Sequence, residues 1–96
     1  MTDQSRHDLA KLLATAAADV LEHSDGIITG FQIEWSQVHK GYMCKLYTTV
    51  NDQLLVAGHM FSLQDMGAVE APEKSIQANL TDMFHNLHST ASSMLQ

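Results

Sequence analysis

Residues 31–61 read FQIEWSQVHKGYMCKLYTTVNDQLLVAGHMF, and two turn signals divide this stretch into three segments rich in apolar residues. The pair Asn51-Asp52 suits the centre of a tight hairpin turn, because both residue types tolerate positive φ angles. Lys40-Gly41 is a second turn signal of the same length. The stretch therefore predicts a three-stranded antiparallel meander.

The two turns also predict which residues pair across the sheet. The hairpin turn places Cys44 opposite His59, and the first turn places Trp35 opposite Leu46. Both registers put one apolar set on the same face: Phe31, Ile33, Trp35, Leu46, Val50, Leu55, Ala57 and Phe61. Because a slip of one residue in either pairing would scatter this set over both faces, the agreement supports the sheet.

The opposite face of the predicted sheet is also rich in apolar residues. Its members are Val38, Met43, Tyr47, Leu54, Val56 and Met60, interspersed with Gln32, Glu34, Ser36, Lys45 and Thr49. Such a face is more apolar than one that only meets solvent. We therefore expect a partner or dimer interface made of Met43, Tyr47, Leu54, Val56 and Met60, joined by Leu63 and Met66 from an adaptable loop at 63–69.

Two amphipathic helices are predicted on either side of the meander. The first is capped by Thr2 or Ser5 and ends at Gly26. Its apolar stripe consists of Leu9, Leu13, Ala16 and Val20. The second opens at Pro72 and carries the stripe Ile76, Leu80, Met83, Leu87 and Met94. Its Ser- and Thr-rich end, 89–93, is expected to fray, and residues 62–71 are expected to form a loop.

The order α-β-β-β-α predicts one α+β domain over residues 1–96, in which the meander packs with two helices. A chain of 96 residues can build only one core, and a modest one. If both helices cover the face that carries Trp35, the other face is left for a second copy or another protein. The alternative is one helix on each face.

The chain is acidic, with five basic and eleven acidic residues and a net charge of −6. Such a charge repels phosphate backbones and anionic lipids, so direct nucleic-acid or membrane binding is not expected. The element order is similar to that of the double-stranded RNA-binding domain, but the second helix here opens Pro72-Glu73-Lys74-Ser75 and lacks the lysines that contact phosphates. An acidic inhibitor of a nucleic-acid-handling enzyme remains an alternative function.

The single cysteine, Cys44, excludes an intrachain disulfide. The opening residues MTDQSRHDLA lack the apolar core of a signal peptide, and no stretch has the roughly 20 apolar residues of a membrane-spanning helix. We therefore expect a cytoplasmic protein.

Two residue pairs invite a chemical interpretation. His85 and His88 are neighbours on a helix surface, but two ligands do not make a metal site. Cys44 opposite His59 resembles a nucleophile with a base, because a nearby histidine can lower a thiol pKa. The register places both residues on the core face, however, which favours a buried thiol beside a histidine that is part of the core. The chain lacks GxSxG, HExxH, paired CxxC and glycine-rich phosphate or dinucleotide motifs.

The sequence thus favours a non-enzymatic protein-binding module without metal or cofactor, a homodimeric adaptor, chaperone or inhibitor. The alternative from another class is a small-molecule-binding or catalytic module that uses Cys44, His59 and Tyr42.

Overall fold

The computed structural model describes residues 3–95. Its elements are α1 (Asp3–Glu22), β1 (Gly30–Ser36), β2 (Gly41–Val50), β3 (Gln53–Ser62), α2 (Leu63–Gly67) and α3 (Pro72–Met94). The strands form one antiparallel sheet in the order β1-β2-β3. The predicted α+β meander with a helix at each end is confirmed, and α2 is an addition to it.

The β2–β3 hairpin has the predicted register. Asn51 and Asp52 adopt φ angles of 52° and 64°, as a two-residue turn with two left-handed positions requires. Cys44 pairs with His59 along the continuous ladder that follows. The turn chemistry therefore fixed this half of the sheet.

The β1–β2 turn is longer than the sequence predicted. Ser36 pairs with Gly41, so the turn comprises residues 37–40, and Lys40 takes a φ of 50°. Gly41 is not a turn residue but the first residue of β2, where a Cβ atom would lie 2.4 Å from the carbonyl oxygen of Phe61. The glycine is needed for this close approach between two strands.

The longer turn changes the partners in β1 but not the faces. Trp35 pairs with Tyr42 instead of Leu46, a shift of four residues. Because four is an even number, the side chains of β1 stay on the predicted face. Val38 is the exception, since it lies in the turn and is 88% exposed.

α1 ends at Glu22, and the predicted stop, Gly26, follows in the turn with a φ of 82°. The buried Ser24 side chain closes the reversal toward β1: its hydroxyl donates to the carbonyl of Leu21 at 2.9 Å and accepts from the N–H of Ile28 at 3.1 Å. The predicted cap is wrong for Ser5, which lies inside the helix, and Thr2 lies outside the described residues.

Residues 63–67 form the short helix α2 where a loop was expected. The hydroxyl of Ser62 caps it by accepting a hydrogen bond from the N–H of Asp65 at 3.0 Å. Leu63 and Met66 pack against the core from this helix. The connection is therefore partly ordered by its own apolar residues.

α3 follows the predicted stripe as far as Leu87, and at its end Ala91 is buried instead of Met94. It begins at Pro72 and continues to Met94, and its buried residues are Ile76, Leu80, Met83, Leu87 and Ala91. The expectation that residues 89–93 fray is wrong, because Ala91 is buried and holds this turn against the rest of the molecule.

Both long helices pack on the same face of the sheet. The core joins their stripes to Ile28 and to residues of β2 and β3, and consists of Leu9, Leu13, Ala17, Val20, Ile28, Cys44, Leu46, Phe61, Ile76, Leu80, Met83 and Leu87. At the β1 edge, the guanidinium of Arg6 lies 4.1 Å from the ring centre of Trp35. The fold has two layers, and no element within residues 3–95 covers the other face of the sheet.

Within this described part of the chain, none of the helices combines the length and the apolar character needed to cross a membrane.

Candidate protein-binding surface

The open sheet face is defined here as the side of the sheet opposite α1 and α3. The strand registers place eleven side chains on it: Gln32, Glu34 and Ser36 from β1, Met43, Lys45, Tyr47 and Thr49 from β2, and Leu54, Val56, Met60 and Ser62 from β3. The apolar members concentrate on β2 and β3. The face is therefore apolar on one side and polar toward β1.

Five of the seven expected interface residues lie together on the open sheet face. Met43 is directly opposite Met60, and Tyr47 is directly opposite Val56. Leu54 is 61% exposed and Val56 is 49% exposed, while the other three are half-buried against their neighbours. The result is an apolar patch along the β2–β3 hairpin, in which the Lys45–Gly58 pair lies between the Met43–Met60 and Tyr47–Val56 pairs.

Tyr47 is held in place by the polar side of this face. Its hydroxyl donates to Oε1 of Gln32 at 2.6 Å, and Nε2 of Gln32 donates to Oε1 of Glu34 at 2.7 Å. A tyrosine whose hydroxyl is already bonded presents its ring in one position, which lowers the entropy lost when a partner packs against it. Tyr47 is thus the most preorganised residue of the patch.

Leu63 and Met66, the other two expected interface residues, are not part of this patch. Both pack against the core from α2, and both line a shallow depression with residues of α1 such as Leu9 and Leu12. Their apolar side chains contribute to folding at this position. The structure therefore separates them from the open sheet face.

Cys44 and His59 pair as predicted, but their surroundings differ. Cys44 is fully buried, and burial raises its thiol pKa to about 11, so the thiol stays protonated at neutral pH. His59 is exposed, and its ring meets the ring of Phe61 edge-on with centroids 4.7 Å apart. The expectation of a core position is confirmed for Cys44 and wrong for His59, because β3 is an edge strand and the helices leave its rim uncovered.

This pair lacks the nucleophile that thiol catalysis needs. A reactive cysteine is a thiolate in an electropositive and accessible position, whereas Cys44 is shielded and neutral. Tyr42 packs its ring against Trp35, with centroids 5.0 Å apart, and belongs to the covered side of the sheet.

The two helical histidines both lie against the ring of Phe84. The ring of His88 stacks on Phe84 at a centroid distance of 5.9 Å and an angle of 13°. His85 contacts the same ring. Across residues 3–95, no three His, Cys, Asp or Glu side chains converge where an ion would be held.

An open groove of 980 Å³ lies between α1 and α3 on the helical side of the molecule. Its lining includes Leu12 and Ala16, with Asp19, Glu22 and Glu73 among the acidic side chains around them. We did not predict this feature. The sequence signal for it is the run of small residues at 14–18, whose short side chains leave space beside α1.

No protein-family model, curated protein or solved structure matches this chain.

Proposed function

We propose that the protein is a non-enzymatic protein-binding module, a homodimeric adaptor, chaperone or inhibitor of the cytoplasm, which contacts its target through the open sheet face. The observation that carries this proposal is the exposure of Leu54 and Val56 on a sheet face that neither α1 nor α3 covers. Large apolar side chains gathered on one exposed surface are typical of a protein-interaction site.

The energetics of the patch favour a packed partner. Burying the exposed parts of Leu54 and Val56 would stabilise a complex by roughly 1–2 kcal/mol for each side chain. The fixed ring of Tyr47 adds an anchor of the type found at the centre of many interfaces. The paired methionines, Met43 and Met60, adapt their shape to the partner because a thioether side chain is flexible.

The charge of the protein favours a target with a basic surface around its apolar contact. The open sheet face carries only two charged residues, Lys45 and Glu34, whereas the whole chain has a net charge of −6. Long-range attraction would therefore steer a basic target, while the apolar patch would hold it. A lone cysteine that is buried and reduced suits the cytoplasm.

A pair of matched variants tests this proposal. Val56→Glu puts a carboxylate on the open sheet face, and Val38→Glu makes the same change at an exposed valine in the β1–β2 turn. Tyr47→Arg is a second change on the face, in the central strand. Wild type and variants, checked for folding by circular dichroism, are used to capture proteins from a lysate of the source organism.

A captured protein is then purified and titrated against each variant. We expect the affinity to fall at least about tenfold for Val56→Glu and Tyr47→Arg, because each buries a charge at the contact, and to stay unchanged for Val38→Glu. Equal affinities for all four proteins would place the target on another surface and would refute the role of the open sheet face.

A further inference from the structure

We propose that the free edge of β3 pairs antiparallel with β3 of a second copy, so that two three-stranded sheets join into one six-stranded sheet around a two-fold axis. This inference rests on the homodimer of the proposed function and assigns its contact to the strand edge. The open sheet face is then left to the target.

The first argument is the backbone of β3 itself. The turn at 51–52 starts the β2–β3 ladder with a hydrogen-bonded pair at Gln53, and such pairs alternate along an antiparallel strand. The N–H and C=O groups of Leu54, Val56, Gly58 and Met60 therefore point away from β2. No turn, loop or helix in residues 3–95 bonds to these groups.

The second argument is that β3 lacks the features that protect an edge strand. Its ten residues, QLLVAGHMFS, include no Lys, Arg, Asp, Glu or Pro, and its register with β2 is continuous, without a bulge. Monomeric proteins usually block such an edge with charges, proline, bulges or a covering segment. An unprotected strand of this length is a template for another strand.

β1, the other edge of the sheet, is different. It has seven residues and contains Glu34, and the cationic side chain of Arg6 lies over its Trp35 ring. A charged residue within the strand and another above it make strand addition less favourable. The contrast between the two edges directs pairing to β3.

The third argument is that a second copy fits this edge. Antiparallel pairing of a strand with its own copy is symmetric, because residue i meets residue j in both directions. It also brings no like charges into the strand contact, although each chain carries a net charge of −6. Self-pairing thus avoids the repulsion that other surfaces of this acidic protein would meet.

The available area is that of a small biological interface. Ten residues at about 3.3 Å each give an edge about 33 Å long. With the shortest dimension of the molecule, 17 Å, as its depth, the edge offers roughly 560 Å² per copy. The two copies together then exceed the ~1,000 Å² that separates biological interfaces from incidental contacts.

Gly58 provides the sharpest test, because its N–H points out of the edge. Gly58→Pro removes this donor without removing a bond of the β2–β3 ladder, whereas Gly58→Ala keeps the donor and brings its Cβ only to ordinary contact, 3.4 Å from Sδ of Met43. Tyr47→Arg changes the open sheet face and leaves the edge intact. The solution mass of each protein is measured by sedimentation over a range of concentrations.

We expect wild type, Gly58→Ala and Tyr47→Arg to be dimers, with twice the 10.6 kDa mass of the chain. Gly58→Pro is expected to be a folded monomer, with a dimer dissociation constant raised at least about 100-fold. A wild-type monomer at 100 µM, or a dimer that Tyr47→Arg splits and Gly58→Pro does not, would overturn the edge assignment. Target binding by the open sheet face is scored separately by the titration above, so the two proposals fail independently.

Hydrogen exchange of the wild-type protein gives a test that does not depend on how Gly58→Pro folds. In the edge-paired dimer, the amides of Val56 and Gly58 exchange as slowly as those bonded to β2 and become faster when the protein is diluted to monomer. Fast exchange of these amides at concentrations where the protein is dimeric would place the contact elsewhere and refute the proposal.

Discussion

Replacing Gly41 with alanine tests the close approach of β2 and β3. A Cβ atom at this position would lie 2.4 Å from the carbonyl oxygen of Phe61 and 2.6 Å from Cα of Ser62. Both distances are roughly 1 Å shorter than ordinary contact, and both neighbours are backbone atoms that no rotamer change can move. The strands must separate here, which also strains the adjacent hydrogen bond from the N–H of Leu63 to the carbonyl of Lys40, 3.0 Å long.

The expected loss of unfolding free energy in Gly41→Ala is about 2–4 kcal/mol, the sum of overpacking and a weakened hydrogen bond. Gly30→Ala is the matched control, since it adds the same methyl group at the end of a strand where nothing lies within 4 Å. Urea unfolding followed by circular dichroism measures both variants. A Gly41→Ala protein as stable as Gly30→Ala would refute the close approach and the role assigned to this glycine.

Three further predictions concern two ionisable groups, Cys44 and His23. The thiol of Cys44 is expected to react with a disulfide reagent at least about 100-fold faster after denaturation than before, and equal rates would refute its burial. Burial raises the pKa of Cys44 from 9.0 to about 11, so between these pH values the folded state keeps the thiol proton and the unfolded state loses it. The free energy of unfolding is therefore unaffected below pH 9 and falls by about 2–3 kcal/mol as the pH rises to 11. Cys44→Ala should lack this pH dependence when both proteins are unfolded in urea at each pH. The pKa of His23, measured by NMR, is expected to lie above 6.5, because its Nδ1–H donates to the carbonyl of Asp19 at 2.8 Å and the Asp19 carboxylate lies 3.3 Å away. The stabilisation of the fold by protonated His23 is present below pH 6.5 and is lost as the pH rises through the folded pKa. Asp19→Asn should lower that pKa, and an unchanged value would contradict the ion pair.

The β2–β3 register could be predicted because the Asn51-Asp52 signal is short and chemically specific. The β1–β2 register could not be predicted in this way, because the residue with a positive φ is Lys40, and lysine is not a residue type that indicates a positive φ. The glycine beside it is required for strand packing instead. Face assignments survived this error only because the shift between the registers was even.

The position of the open sheet face depends on information that local patterns do not contain. A helical stripe shows which residues of α1 and α3 are buried, but not which face of the sheet they cover. The same limit explains Leu63 and Met66, since a helix of five residues is too short for a recognisable period. Ser62 and Asp65 have the spacing of a helix N-cap and its bonded position, which is the one local signal for α2.

The order of the elements along the chain also has a consequence for folding. Both strand pairs join neighbouring segments through turns of two and four residues. α1 and α3 are in contact in the folded protein, but the whole sheet lies between them along the chain. We expect the β2–β3 hairpin to form first, within about 1–10 µs, and the docking of α1 against α3 to come last, because it closes the longest loop. On the ribosome, α3 emerges after all three strands, so the part of the sheet that it covers, on β2 and β3, stays open until it docks. The nascent chain therefore passes through a stage in which the sheet is apolar on both faces, and the docking rate of α3 sets how long other chains can reach it.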